Sequence, residues 1–108
     1  MDIKKLFQAN ILSTEKAKTI IRSQKDLGFN TQMFMIMALS GTDIGNAKPH
    51  LLSVDERIEA FERLDDLSKL IVKCFLKNDD IESAMDELKY NIFQIQNIVE
   101  IEKALYSL

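Results

Sequence analysis

From Val54 onward the apolar residues fall at steps of three and four: Val54, Ile58, Phe61, Leu64, Leu67, Ile71, Cys74 and Phe75. That spacing puts them on one face of a helix, because 3.6 residues make a turn. Arg57, Glu59, Glu62, Arg63, Asp66, Lys69 and Lys73 fall mostly on the other faces. Ser53 and Glu56 form a capping-box pair at the start, in which each side chain can satisfy the other residue's backbone N–H. Asp55 and Glu56 also suit the positive end of the helix dipole. The pattern predicts a helix over about 54–77. Its stripe broadens at Leu70-Ile71-Val72, so its C-terminal part is expected to be more enclosed.

Asn78-Asp79-Asp80 interrupts the pattern. Asn suits a helix C-terminus, and Asp79 or Asp80 suits the next N-cap. A second stripe follows at Ile81, Met85, Leu88, Ile92, Ile95 and Val99, then widens over Ile98, Ile101 and Leu105. This predicts a helix over about 80–106. Two helices of roughly 35–40 Å joined by so short a linker must run antiparallel, as an αα-hairpin. The hairpin has more apolar width than one seam can cover, so the N-terminal half must lie over it.

Composition agrees with helices. In 108 residues there are three Gly, one Pro and no Trp. Turn-rich β folds need more Gly and Pro than this. The expected fold is all-α: one helical domain over 1–108, with short helices in 2–39, a loop over 40–53 and the long hairpin over 54–108. Asp2 to Asn10 reads as a first helix carrying Ile3, Leu6 and Phe7. Ser13 or Thr14 caps a second, running to Leu27, with Gly28 in the C′ position that favours φ > 0. Asn30 or Thr31 caps a third, the Met-rich segment 31–39.

Met33 to Leu39 is a run of seven apolar residues, three of them methionine. As helix it would rise only about 10 Å, far short of a bilayer. It is therefore core or docking surface, and no membrane contact is expected. A helix apolar on all sides belongs in a core or an interface, and methionine adapts to varied partners. Phe34, Ile36 and Met37 are expected against the hairpin. Met33 and Met35 are expected at a partner's surface, together with Ile98, Ile101 and Leu105.

Net charge is −3, unevenly spread. Residues 1–28 hold six Lys/Arg and three Asp/Glu, whereas residues 54–108 hold seven and thirteen. Lys18, Arg22 and Lys25 share one face of the second helix and are candidate phosphate contacts. The stretch from Ser13 to Leu39 has helix-turn-helix spacing, but the apolar run leaves no polar face to read base edges. GTDIGNAK, residues 41–48, lacks the spacing and the Ser/Thr of a phosphate loop.

The lone Cys74 permits no internal disulfide and suits a reducing, cytoplasmic setting, and MDIKKLFQAN is not a secretory signal. Cys74 lies on the apolar stripe, where a thiol is inert, and His50 has no nucleophile nearby. Asp65-Asp66 and Asp79-Asp80 lack calcium-loop spacing. No catalytic group, cofactor or metal site is expected.

The sequence points to a non-enzymatic protein–protein interaction module: a small cytosolic adaptor, assembly chaperone or inhibitor of a larger protein, self-associating as a homodimer. The alternative is a regulator that binds nucleic acid or a phosphate-containing ligand through the basic helix 14–27.

Overall fold

The computed structural model describes residues 2–24, 27–43, 51–78 and 80–94, with side chains as far as Tyr90. Among the described residues there are six helices and no strand. They are α1 (Ile3–Ala9), α2 (Thr14–Arg22), α3 (Phe29–Ser40), α4 (Val54–Glu62), α5 (Asp66–Lys77) and α6 (Ile81–Gln94).

Short polar side chains set most of the helix starts. Asp2 accepts from Lys4 N–H, and Ser13 accepts from Lys16 N–H. At α4 the capping box closes in both directions: Glu56 N–H donates to Ser53 Oγ at 3.2 Å, and Ser53 N–H donates to Glu56 Oε1 at 2.9 Å. Asn78 caps the end of α5, and Asp80 accepts from Ser83 N–H ahead of α6. Each such bond satisfies a backbone group that the helix itself leaves orphaned.

The helix expected over 54–77 is two helices. Arg63 and Leu64 close three-residue turns onto Ala60 and Phe61, and Asp65 takes an extended conformation (ψ 168°) with its carboxylate on Ser68 N–H at 2.8 Å. Asp is a poor helix interior residue and a good cap, because its side chain competes for the backbone N–H groups. The break resets the register. Leu64 stays buried, whereas Leu67, placed on the stripe by spacing alone, is exposed. The expected second helix is described as far as Gln94; the remainder to 106 lies outside the described residues.

Two further boundaries differ from expectation. The helix expected to reach Leu27 stops at Arg22, where Ser23 turns its hydroxyl back onto Ile20 O. Gly28 is not a left-handed C′ residue. With φ −65° and ψ 159° it is the N-cap of α3, so Asn30 and Thr31 lie inside the first turn rather than capping it. The left-handed glycine is Gly41, at φ 67°, whose N–H returns to Met37 O at 2.9 Å and ends α3. A Cβ there would stand 3.2 Å from Arg57 Cδ and 3.3 Å from Ile11 Cδ1, so glycine is needed for space as well as for φ. Beyond it, Thr42 and Leu51 meet in an isolated antiparallel bridge.

α1 and α3 lie against the C-terminal helices, and α2 packs on α3. α1 packs on α4 and α5; α3 packs on α2, α4 and α5; α6 packs on α5. Phe7 meets Phe61 edge-on with ring centroids 5.4 Å apart. Around them lie Ile20, Met35, Leu39, Leu70, Val72, Phe75 and Leu76, all with almost no exposure. Residues 70–76 are buried all round the helix, which makes α5 the centre of the fold. Lys73 sits in that stretch and is buried, contrary to its expected outward place. Burial lowers its pKa, and Glu62 opposes that shift. Near the turn into α6, Lys77 and Asn78 both donate to Glu87.

Candidate docking groove between α3 and α4

One residue fixes how α3 meets α4. Arg57, expected on the solvent side, is 3% exposed. Its Nε donates to Ala38 O at 3.0 Å, Nη1 to Phe7 O at 2.7 Å and Nη2 to Asn10 O at 2.8 Å, with Leu39 O at 3.5 Å from Nη2. These carbonyls belong to the last turns and caps of α1 and α3, which have no intrahelical donor and carry the negative end of the helix dipole. The guanidinium thus serves two helix C-termini at once. Its carbon lies 5.1 Å from the Phe7 ring centroid, a cation–π distance. Burial lowers its pKa, but an arginine with this many acceptors stays charged. Arginine suits the position because its planar fork presents several donors in fixed directions.

With its C-terminus held in this way, α3 turns one side inward and leaves the other partly open. Met35, Ile36, Ala38 and Leu39 are buried. Met33, Phe34 and Met37 are half-buried, and Phe29 at the helix start is 74% exposed. Phe29, Met33 and Met37 are spaced by four, so they follow one line along the helix. No residue from Phe29 to Ser40 is charged. Where this side meets α4 there is an open groove of about 450 Å³. Phe34, Met37, Leu52 and Ala60 supply its apolar surface, and Asp43, Glu56, Glu59 and Arg63 its polar surface. Ala60 gives the groove depth, since a larger side chain there would fill it. The Arg63 guanidinium lies 5.6 Å from the Phe34 ring centroid and 3.9 Å from the Glu59 carboxylate.

The residues expected at a partner's surface separate. Met33 is half-buried on the open side of α3. Met35 is 0% exposed and belongs to the core, which corrects its expected place at a partner's surface. Two residues apart on a helix is about 200° of rotation, so Met33 and Met35 cannot share a face. Ile98, Ile101 and Leu105 lie outside the described residues, as does His50. Of the residues expected against the hairpin, Ile36 is buried, whereas Phe34 and Met37 pack at its edge and line the groove. Phe29 was not singled out by sequence, although its spacing of four from Met33 was the signal.

Of the candidate phosphate contacts, Arg22 is exposed, Lys18 is half-buried and Lys25 lies outside the described residues. Among the described residues neither Lys18 nor Arg22 takes part in an ion pair, whereas Lys4–Asp55, Arg63–Glu59, Lys69–Glu62 and Lys77–Glu87 do pair. Cys74 is buried beneath α6, and its thiol is pushed up to about 12, chiefly by burial. A thiol in that state is not a nucleophile. Among the described residues no three His, Cys, Asp or Glu side chains gather as a metal site requires, and no helix is long and apolar enough to cross a membrane. No family model, curated protein or solved structure matches this chain.

Proposed function

We propose that this chain is a non-enzymatic protein–protein interaction module that receives its partner in the groove between α3 and α4. The carrying observation is the groove that Phe34 and Met37 of α3 form with Leu52 and with Ala60 of α4, on a helix without charge whose Met33 is half-buried and whose Phe29 is exposed. Apolar side chains left partly open on a helix are the usual material of helix-in-groove recognition, and methionine adapts its shape to what it meets. The reading takes a partner of either kind, a foreign chain or a second copy. Its setting is the cytoplasm, in keeping with the lone reduced thiol, and its role that of an adaptor, assembly chaperone or inhibitor. Affinity capture from the native host tests it, with the natural chain and Met37→Glu run side by side and read by mass spectrometry. A partner held by the natural chain and lost by the variant is expected. Equal recovery by the two overturns the groove.

A second reading is supported by Lys18 and Arg22, which among the described residues form no ion pair. A ligand bearing phosphate would bind along α2 with marked salt dependence. Titration with DNA, RNA and a nucleotide against Lys18→Glu/Arg22→Glu decides it, since an unchanged titration removes the reading.

A further inference from the structure

The turn between α4 and α5 is held by contacts rather than by the backbone. No Gly or Pro follows Pro49 in the chain, so no residue type forbids one helix from Val54 to Lys77. Arg63 already has right-handed helical angles, φ −81° and ψ −8°. Asp65 has a helical φ of −71°, and only its ψ of 168° is extended. Phe61, Leu64, Leu67 and Ile71 keep steps of three and four through the break, so in one helix they would form one stripe. In the structure Phe61, Leu64 and Ile71 are buried, whereas Leu67 is 44% exposed. Two local contacts keep the turn closed. The Asp65 carboxylate accepts from Ser68 N–H at 2.8 Å. The Lys69 ammonium lies 3.5 Å from the Glu62 carboxylate and 5.8 Å from the Phe61 ring centroid. In one helix the step from Glu62 to Lys69 would rise about 10 Å, and that pair would be lost.

The same turn divides the fold into two units. α1 to α4 pack on one another, α5 packs on α6, and the units meet mainly where α1 and α3 lie against α5. We infer that the turn at Arg63–Asp65 is a hinge, and that a second copy of this chain pairs with the first by exchange of α5 and α6. Each hinge opens into a continuous helix, and each α5 enters the α1–α4 unit of the other copy. The contacts of α5 with α1 and α3 are then remade between chains, so the exchange costs little beyond the turn and the entropy of association. The opened turn gains intrahelical hydrogen bonds in place of the Asp65 cap. Both opened hinges cross from one half of the dimer to the other, so they run side by side at the two-fold axis and cover Leu67. The inference goes beyond the docking groove and does not draw on it. Every residue lining that groove precedes the hinge, so exchange leaves the groove intact.

The test refolds the full chain from urea at low and at high protein concentration and reads its mass by sedimentation. A dimer that grows with the concentration during refolding is expected. Asp65→Ala removes the cap and puts a better helix former in the hinge. It should raise the association constant at least about tenfold, since each dimer holds two hinges. Asp66→Pro acts in reverse. Proline suits the first position of α5 and holds the residue before it extended, as Asp65 already is. Inside a continuous helix it would lack the N–H and meet the Glu62 carbonyl. Its urea midpoint should stay near that of the natural chain, while association falls at least about a hundredfold. A mixture of isotope-labelled and unlabelled chains reads the exchange directly. The Asp80 carboxyl, held low chiefly by the Ser83 N–H and hydroxyl, is lowered further by Lys16 of α2, so these two side chains lie close. A carbodiimide that condenses them joins the two units, and in the dimer the joined peptides should come from one labelled and one unlabelled chain. Three results overturn the inference: a dimer as strong in Asp66→Pro as in the natural chain, monomer at every concentration in both the natural chain and Asp65→Ala, or a dimer whose joined peptides come only from the same chain. A dimer that Met37→Glu dissolves and Asp66→Pro leaves intact is seated in the groove, and overturns it as well.

Discussion

Replacing Arg57 by alanine takes the donor from three carbonyl oxygens within 3.0 Å, those of Ala38, Phe7 and Asn10, whereas Leu39 O keeps the Leu12 N–H at 2.9 Å. A buried acceptor left without a partner costs about 1–3 kcal/mol, and water recovers part of that at the half-buried Asn10 carbonyl. Three carbonyls so stripped, one of them open to water, set the scale at roughly 3–5 kcal/mol. Whole domains have only about 5–15 kcal/mol to lose. We therefore expect Arg57→Ala to lose roughly 3–5 kcal/mol. In urea, with a slope near about 1.5 kcal/mol per molar, the midpoint should fall by roughly 2–3 M. Arg57→Lys keeps the charge but not the fork, and should fall between the natural chain and alanine. Arg63→Ala is the control. That side chain is 61% exposed in a 3.9 Å pair, and its loss should stay within about 0.5 kcal/mol. Equilibrium unfolding followed by far-ultraviolet circular dichroism measures all three. An Arg57→Ala midpoint within experimental error of Arg63→Ala would refute the argument that Arg57 holds two helix ends.

Other substitutions probe separate parts of the fold by the same measurement. Gly41→Ala should lose at least about 1–2 kcal/mol, because alanine must take a left-handed φ against Arg57 and Ile11, whereas Gly28→Ser should gain a few tenths of a kcal/mol by supplying the side-chain cap that α3 lacks. Met35→Ala should lose about 2–5 kcal/mol, as a buried methionine does, while Met33→Ala on the half-open side should lose clearly less; equal losses would contradict the assigned faces. Asp80 carries a pKa held below its ordinary 3.8, chiefly by the Ser83 backbone N–H and then by the Ser83 hydroxyl. A carboxyl favoured in its charged form lends stability that is full above 3.8 and lost as pH falls through the lowered value. Amide-exchange protection in the first turn of α6, taken relative to the intrinsic rate at each pH, should therefore fall below pH 3.8, and Asp80→Asn, which still caps but does not titrate, should remove that dependence.

What could be read from the sequence was what depends on near neighbours. The capping box at Ser53 and Glu56, the stop at Asn78 and the cap at Asp80 involve residues no more than four apart, and spacing alone reveals them. The stripes gave the helical class for the same reason. The break at Arg63–Asp65 was hidden because Leu64 keeps the three-residue step from Phe61 and stays buried even where the helix ends. The choice between Gly28 and Gly41 turns on φ, which composition does not reveal. Arg57 was out of reach altogether. Its acceptors lie 18 to 50 residues away, and an arginine beside Asp55 and Glu56 reads as one more surface charge. The groove was half legible: the uncharged run was plain, but which methionines face outward needed strict helical phase.

The reach of Arg57 also bears on the order in which the chain can assemble. α1 has seven residues, well under the length at which an isolated helix persists in water. Its last carbonyls are bound by a side chain that lies 50 residues later. At synthesis rates of about 5–20 residues per second, α1 leaves the ribosome several seconds before the residue that secures it. α1 therefore cannot gain these contacts until α4 has been made, and Phe7 waits with it.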